Sequence, residues 1–151
     1  MSQAPRLYCR DCGARFGWGR YPLGCPSCAE QGRFGILEVT YPYDGETLRQ
    51  LEEALAHPER RSLWRFAALL PLPEGAQPVT LGEGGTPLVP APWLCPSAGL
   101  DRVYLKNETA NPTWCSKDRV NTVNVTIARA LGAHGIVAST TAHGEATTMN
   151  V

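Results

Sequence analysis

Four of the six cysteines in this chain occur as two closely spaced pairs. Cys9 and Cys12 form one CxxC pair, Cys25 and Cys28 form another, and twelve residues separate the pairs. Paired thiolates at this spacing are typical of a tetrahedral zinc site in a ribbon of short hairpins, so we predict structural zinc. Iron is an alternative, since it also accepts tetrahedral sulfur ligands, and disulfides or free thiols are the metal-free alternative.

Lys117 stands where a predicted loop enters a predicted helix. Residues 108–119 read ETANPTWCSKDR, and the glycine-rich residues 81–88 before them read LGEGGTPL. After the helix, residues 135–140 read GIVAST, a short apolar run followed by hydroxyl side chains. This order of loop lysine, helix, strand and hydroxyl-rich turn is typical of sites where a lysine amine forms a Schiff base with pyridoxal phosphate. We therefore predict that Lys117 is the catalytic residue.

The elements that position the cysteines make up residues 1–39, which predict a zinc ribbon. Residues 7–8 and 34–39 have the pattern of short strands on either side of the cysteine turns. A core this small cannot hold itself by burial alone, so the metal must supply folding energy and we favour a structural module. A weak nucleic-acid surface is the alternative, because arginines and aromatic side chains alternate here. Those side chains are Arg6, Tyr8, Arg10, Arg15, Phe16, Trp18, Arg20, Tyr21 and Arg33.

Residues 40–78 predict a linker with two short helices. Leucines at helical spacing indicate the first helix, over about residues 46–56, and Pro58 ends it. The second helix is expected over residues 63–70. A turn-rich boundary at residues 71–75 separates it from the remainder of the chain.

Residues 79–151 have the texture of an α/β domain, in which the last strand is apolar enough for a parallel sheet. One complete helix and two strands leave the faces and edges of such a sheet uncovered, so we expect an incomplete catalytic domain. The predicted elements are the strand at residues 102–106, the helix at residues 117–131 and the strand at residues 136–138.

The predicted helix that begins at Lys117 has a capping residue at each end. Ser116 is the expected N-cap, and Gly132 is expected just past the C-terminal end. Its apolar side chains fall near one face, which predicts the face that packs against the domain. They are Val120, Val123, Ile127, Ala130 and Leu131.

The balanced composition argues against several classes of protein. The formal net charge at pH 7 is +0, which gives no long-range field toward nucleic acid or membrane. Residues 1–6 lack an apolar signal region, and the longest apolar run, residues 66–70, is too short to span a bilayer. We expect a soluble, cytoplasmic protein, with a homo-oligomer as an alternative to a monomer.

Together these motifs resemble the N-terminal part of bacterial threonine synthase, a pyridoxal-phosphate enzyme of the tryptophan-synthase-β fold type. The cysteine ribbon, LWRF at residues 63–66, residues 81–88 and residues 111–119 match the family in order. The resemblance covers nearly the whole chain and about the first third of a typical family member. It implies an α/β fold class: a small zinc ribbon followed by the beginning of a pyridoxal-phosphate-dependent parallel-sheet domain.

The resemblance also implies an activity, the conversion of O-phosphohomoserine to threonine and phosphate. The lysine matching Lys117 holds pyridoxal phosphate and moves protons at the substrate. Ser139 and Thr140 are the implied cofactor-binding residues, and Asn111 and Thr113 are implied to bind the amino-acid substrate. The chain alone is expected to be inactive.

The chain departs from the family pattern on both sides of the lysine helix. Cys115 and Ser116 replace the usual serine and phenylalanine, and Thr141 and Ala142 replace a glycine and an asparagine. We expect weaker cofactor retention from these changes. Two alternatives stay open: a non-catalytic zinc-ribbon protein that binds a partner or nucleic acid, and another lyase of the same fold, such as cysteate synthase or threonine dehydratase.

Overall fold

A computed structural model of the chain describes residues 6–41, 43–57 and 61–137. In these residues the fold is mixed α/β, with one three-stranded and one two-stranded sheet and short helices between them. Pro58 and residues 138–151, on which several sequence predictions fall, lie outside the described residues. Every helix in the described ranges is too short or too polar to cross a bilayer.

The first sheet carries or adjoins the paired cysteines. Strand β1 (Arg6–Cys9) lies between β2 (Arg15–Phe16) and β3 (Leu37–Thr40) and pairs antiparallel with both. A short helix, α1 (Pro26–Ala29), contains the last cysteine of the second pair. These elements confirm the predicted strands, although the last strand begins later than expected. The buried core here is the cysteine cluster itself, against which two half-buried apolar side chains pack.

The next segment contains the two short helices of the predicted linker. Helix α2 (Gly45–Leu55) confirms the first, and its N-cap is Asp44, whose carboxylate accepts from the N–H of Thr47 at 2.8 Å. The second is instead a 3₁₀ segment, Leu63–Leu69, with a kink at Phe66. The physical reason is that a short stretch without a side-chain cap settles into the tighter 3₁₀ turn.

The second sheet is antiparallel and pairs the predicted strand near residues 102–106 with a strand that was not predicted. It consists of β4 (Leu88–Pro90) and β5 (Tyr104–Lys106). Between them helix α3 (Cys95–Ala98) ends at Gly99, whose φ of 63° turns the chain back. Of the predicted last strand, Ile136 and Val137 are described and are not in a strand, with Val137 100% exposed, and Ala138 lies outside the described residues.

Helix α4 (Lys117–Ala130) matches the prediction at its C-terminal end and differs at its N-terminal end. Gly132 has φ 64°, and its N–H donates to the carbonyl of Arg129 at 3.0 Å, as in a Schellman motif. Ser116 occupies the cap position, but its side chain makes no capping hydrogen bond. Cys115 Sγ accepts from the first N–H of the helix at 3.4 Å instead.

The buried face of α4 is largely polar. Val123 is buried as predicted, whereas Val120 is 46% exposed. Asp118, Thr122 and Thr126 are buried in its place. The predicted apolar face is therefore only partly correct, because hydrogen bonds rather than apolar contacts join this helix to the preceding loops.

Candidate functional site

The four paired cysteines converge on one point. Their Sγ atoms all lie within 4.8 Å of one another. The Sγ atoms of Cys9 and Cys28 are 3.7 Å apart, and those of Cys12 and Cys25 are 3.6 Å apart. Sulfur atoms about 3.8 Å apart surround a tetrahedral ion with bonds of about 2.3 Å, whereas a disulfide needs about 2.05 Å. The sulfur set therefore fits one tetrahedral metal ion.

Backbone turns hold these sulfur atoms in place. The N–H of Gly13 donates to the carbonyl of Cys9 at 2.9 Å and closes the first turn. Gly35 lies against the second pair, where an added Cβ would come within 2.7 Å of Cys28 Sγ and 2.9 Å of Cys25 Cβ. Only glycine fits at this position without displacing a ligand atom.

The thiols differ in their affinity for protons. Burial alone would raise the pKa of Cys9, but backbone N–H groups of Cys12 and Asp11 outweigh it and the pKa falls to about 7. Burial and the neighbouring thiols raise the pKa of Cys28 to about 12. A cation that binds here must displace the proton of Cys28, so binding depends on pH.

Lys117 is exposed and begins α4. Within the part of the chain that the structure describes, no group accepts a hydrogen bond from its Nζ. In the loop before α4, Trp114 has a φ of 58° and its side chain is 79% exposed. A positive φ is uncommon for an aromatic residue and marks strain directly ahead of the lysine.

Asp118 closes this loop onto the helix. Its side chain is fully buried, and Oδ2 accepts from the N–H of Thr113 at 2.9 Å while Oδ1 accepts from the hydroxyl of Thr113. It therefore ties the loop to the first turn of the helix, which is a different role from the cap predicted for Ser116. Thr113 donates its hydroxyl hydrogen within the chain, and its substrate contact stays a prediction.

Arg119, the next residue, meets Glu108 in an ion pair. Glu108 Oε1 accepts from Arg119 Nη2 at 3.1 Å and from the Thr86 hydroxyl at 2.9 Å. Its Oε2 accepts from Arg119 Nη1 and from Asn111 Nδ2 at 2.9 Å. The bonds from Arg119 are the main cause that lowers the pKa of Glu108 to about 2. We call these four residues the Glu108 cluster.

Asn111 links the Glu108 cluster to the glycine-rich segment. It is buried, and Oδ1 accepts from the N–H of Gly84 at 3.0 Å. Its Nδ2 donates to the carbonyl of Glu108 at 3.1 Å and to the carboxylate at 2.9 Å. Both amide hydrogens are thus engaged within the chain, and the predicted substrate contact of Asn111 stays a prediction.

Glu83 ties the same glycine-rich segment to α4. Its side chain is fully buried, and Oε2 accepts from the Thr80 hydroxyl at 2.8 Å and the Leu81 N–H at 2.9 Å. Oε1 accepts from the Thr122 hydroxyl at 2.8 Å. The segment is therefore fixed to the helix one turn beyond Lys117.

The two glycines after Glu83 allow close packing with another stretch of backbone. An added Cβ on Gly84 would lie 2.6 Å from Leu63 N, and one on Gly85 would lie 2.3 Å from Arg61 O. The N–H of Leu63 donates to the carbonyl of Glu83 at 2.7 Å. These glycines therefore serve chain packing in the described structure.

The polar side chains that assemble the site were not predicted from the sequence. Glu83, Glu108, Asp118 and Arg119 each lie within a recognised segment, residues 81–88 or 108–119, and that membership was the available signal. Ser139 and Thr140, the predicted cofactor-binding residues, lie outside the described residues, as do Thr141 and Ala142. Of the predicted site residues, the structure therefore describes the surroundings of Lys117, Asn111 and Thr113.

Some ribbon arginines contact other parts of the chain. Arg20 donates to the carbonyl of Leu131 at 3.2 Å and to that of Gly132. Arg10 lies 3.6 Å from the carboxylate of Glu38. These two arginines of the suggested nucleic-acid surface are engaged with groups of the protein.

The known proteins similar in sequence to this chain include threonine synthases from several organisms. The chain is 34% identical over 140 residues to threonine synthase of Methanosarcina acetivorans, covering 93% of the chain and 32% of the relative. It is 38% identical over 112 residues to threonine synthase of Methanocaldococcus jannaschii, covering 74% of the chain and 27% of the relative. It is also 43% identical over 77 residues to threonine synthase of Mycobacterium leprae, covering 51% of the chain and 21% of the relative.

These similarities confirm the resemblance to threonine synthases that the motifs indicate. The chain spans about a third or less of the length of the curated relatives it matches. No protein-family model matches the chain, and no solved structure does.

Proposed function

We propose that this chain provides the zinc ribbon and the lysine-bearing start of a threonine-synthase-type lyase. The whole enzyme would convert O-phosphohomoserine to threonine and phosphate with pyridoxal phosphate. In this proposal residues 1–39 are the ribbon, residues 40–78 the linker and residues 79–151 the beginning of the catalytic domain. The similarity to threonine synthases over 93% of the chain supports it.

The observation that carries the proposal is the setting of Lys117. An exposed amine at the first residue of α4, with no hydrogen-bond acceptor among the described residues, fits a lysine that bonds covalently to an aldehyde. Pyridoxal phosphate, when bound, supplies an electron sink for negative charge that develops on the substrate. Lys117 Nζ would hold the cofactor and move protons at the α and β carbons of the substrate.

The metal has a structural part in this proposal. Cys9, Cys12, Cys25 and Cys28 would hold one zinc ion as four thiolates. Because the buried core of the ribbon is the cysteine cluster itself, the metal would supply much of the energy that folds it. The ribbon contains no second apolar layer in the described residues that could replace the ion.

A labelling experiment tests the assignment of Lys117. The chain contains two lysines, Lys106 and Lys117, and Lys106 Nζ donates to the carbonyl of Thr86. The chain is incubated with pyridoxal phosphate, reduced with borohydride and mapped by mass spectrometry. We expect the label on Lys117, retained in Lys106→Arg and lost in Lys117→Arg. Label on Lys106, or on neither lysine, would show that the assignment is wrong.

A further inference from the structure

We propose that Glu108 and Arg119 are positioning residues for Lys117. They fix the first turn of α4 against the glycine-rich segment, so that the lysine amine is presented in one direction. This inference rests on the proposed function of Lys117 and extends it to residues that no motif identified as functional.

Arg119 makes a two-point contact close to the lysine. It lies two residues after Lys117, in the first turn of α4, and its side chain is 27% exposed. Both terminal nitrogens of its guanidinium reach the Glu108 carboxylate, and Nη2 also donates to the Thr86 hydroxyl at 3.0 Å. A planar, two-point contact of this kind fixes direction as well as distance.

The Glu108 carboxylate is itself held by several hydrogen-bond donors. Glu108 receives four donors: two nitrogens of Arg119, the hydroxyl of Thr86 and the amide of Asn111. Each carboxylate oxygen accepts two of them. Since the pKa of Glu108 is lowered to about 2, the carboxylate is ionised at neutral pH and the contacts are charge-assisted. Glu108 therefore offers Arg119 a fixed anchor.

The anchored residues that follow Lys117 set the direction of its side chain. Asp118 is held by Thr113 and Thr122 is held by Glu83, so the buried face of the first turns points into the chain. Successive helical residues project about 100° apart, and neighbours three or four apart share a face. With positions 118, 119 and 122 all anchored, the side chain at position 117 projects outward.

A lysine that must meet a cofactor aldehyde gains from such anchoring. Reaction requires atoms to lie within about 3–3.5 Å in a defined orientation, and small displacements are costly. An apolar contact would hold α4 in position without fixing its rotation about its own axis. The forked ion pair between Arg119 and Glu108 fixes both the position and the rotation.

The test compares two variants of the full chain, Glu108→Gln and Arg119→Lys. The second keeps the positive charge and removes the fork. The measured quantity is the ratio of borohydride-trapped label on Lys117 to that on Lys106, followed across pH. We expect the ratio to fall roughly tenfold in both variants. The control is Glu46→Gln, because Glu46 pairs with Arg49 at 2.8 Å on α2 and should leave the ratio unchanged.

Three outcomes decide the matter. Selective labelling of Lys117 in the parent chain with an unaltered ratio in both variants would overturn this inference alone. A second outcome is that the pH midpoint of labelling shifts in Glu108→Gln alone while Lys117 is still labelled in preference to Lys106. This result would show that the pair acts through its charge and not by positioning. Unselective labelling of the parent chain would overturn the proposed function and this inference with it.

Folding is monitored separately by helical circular dichroism and zinc content. Should Glu108→Gln lose its helical signal, Thr86→Val provides the comparison, because it removes one donor to Glu108 while keeping a similar side-chain shape. We expect a smaller fall of the ratio in this variant, roughly threefold. An unchanged ratio in a folded Thr86→Val and in Arg119→Lys would overturn the inference.

Discussion

The buried carboxylate of Asp118 accepts a hydrogen bond from the backbone N–H of Thr113 at 2.9 Å. This contact joins the second residue of α4 to the loop that precedes it. The fully buried side chain of Asp118 belongs to the residue next to the exposed Lys117. The backbone N–H and the hydroxyl of Thr113 donate hydrogen bonds to it. The helix therefore starts from an internal anchor rather than from a conventional serine cap.

Replacing Asp118 by alanine should destabilise the chain by about 2–3 kcal/mol, because the Thr113 N–H and hydroxyl lose a charged acceptor while partly buried. Urea unfolding followed by circular dichroism measures the change. Asp101→Ala is the control, since Asp101 is exposed, and it should lie within about 0.5 kcal/mol of the parent. Equal effects of the two substitutions would show that the loop is not held by Asp118.

The cysteine cluster should bind a single zinc ion, released by a strong chelator with loss of structure in the ribbon. Metal content after growth in ample zinc gives the stoichiometry. Cys28→Ser should lose the ion, whereas Cys95→Ser should keep it, because Cys95 lies outside the cluster. Retention of a full equivalent by Cys28→Ser would contradict the four-thiolate site.

Acid should weaken the fold through Glu108. Folding lowers its pKa from 4.5 to about 2, chiefly through Arg119. A lowered carboxyl pKa adds stability that is present above pH 4.5 and is lost as the pH falls toward 2. Melting temperatures measured across this window should fall less steeply for Glu108→Gln than for the parent. Glu53→Gln, which removes a more exposed ion pair with Arg49, should follow the parent closely.

Two glycine substitutions separate backbone strain from crowding. Gly82 has φ 82° and open space around it, whereas a Cβ on Gly85 would lie 2.3 Å from Arg61 O at φ 60°. Gly82→Ala should cost about 1–2 kcal/mol, the usual penalty for a left-handed alanine. Gly85→Ala should cost about 1–3 kcal/mol more, because a well-packed contact must open. Thermal unfolding measures both, and similar losses would show that the close approach to Arg61 O is not important.

Local signals in the sequence predicted much of the fold. The cysteine pairs located the ribbon, leucine spacing located α2, and Gly132 marked the end of α4, because each depends on residues that are near one another in the chain. The antiparallel pairing of β4 with β5 was not predicted, since it depends on how two distant segments meet. The segment Leu63–Leu69 was expected as a helix because its apolar spacing does not distinguish an α-helix from a short uncapped 3₁₀ segment.

The candidate site likewise contains residues that local sequence signals predicted and residues that those signals did not predict. Lys117 was predicted as a site residue from its neighbours in sequence, but the residues that hold its helix were not predicted. Thr122 is buried because it meets Glu83, which is 39 residues away in sequence, and no helical periodicity reports such a partner. Val120 was expected to be buried because it falls near the apolar face of the predicted helix, yet it is 46% exposed.

Arg20 has a consequence for the whole length of α4. The helix spans 14 residues, a rod of about 21 Å, with Lys117 at one tip and the Arg20 guanidinium against the carbonyls of Leu131 and Gly132 at the other. Carbonyls at a helix C-terminus carry partial negative charge, so the arginine stabilises that tip. Lys117 and the Arg20 contact from the cysteine ribbon thus lie at opposite ends of one helix, so a change in the ribbon would act on the end that the lysine does not occupy.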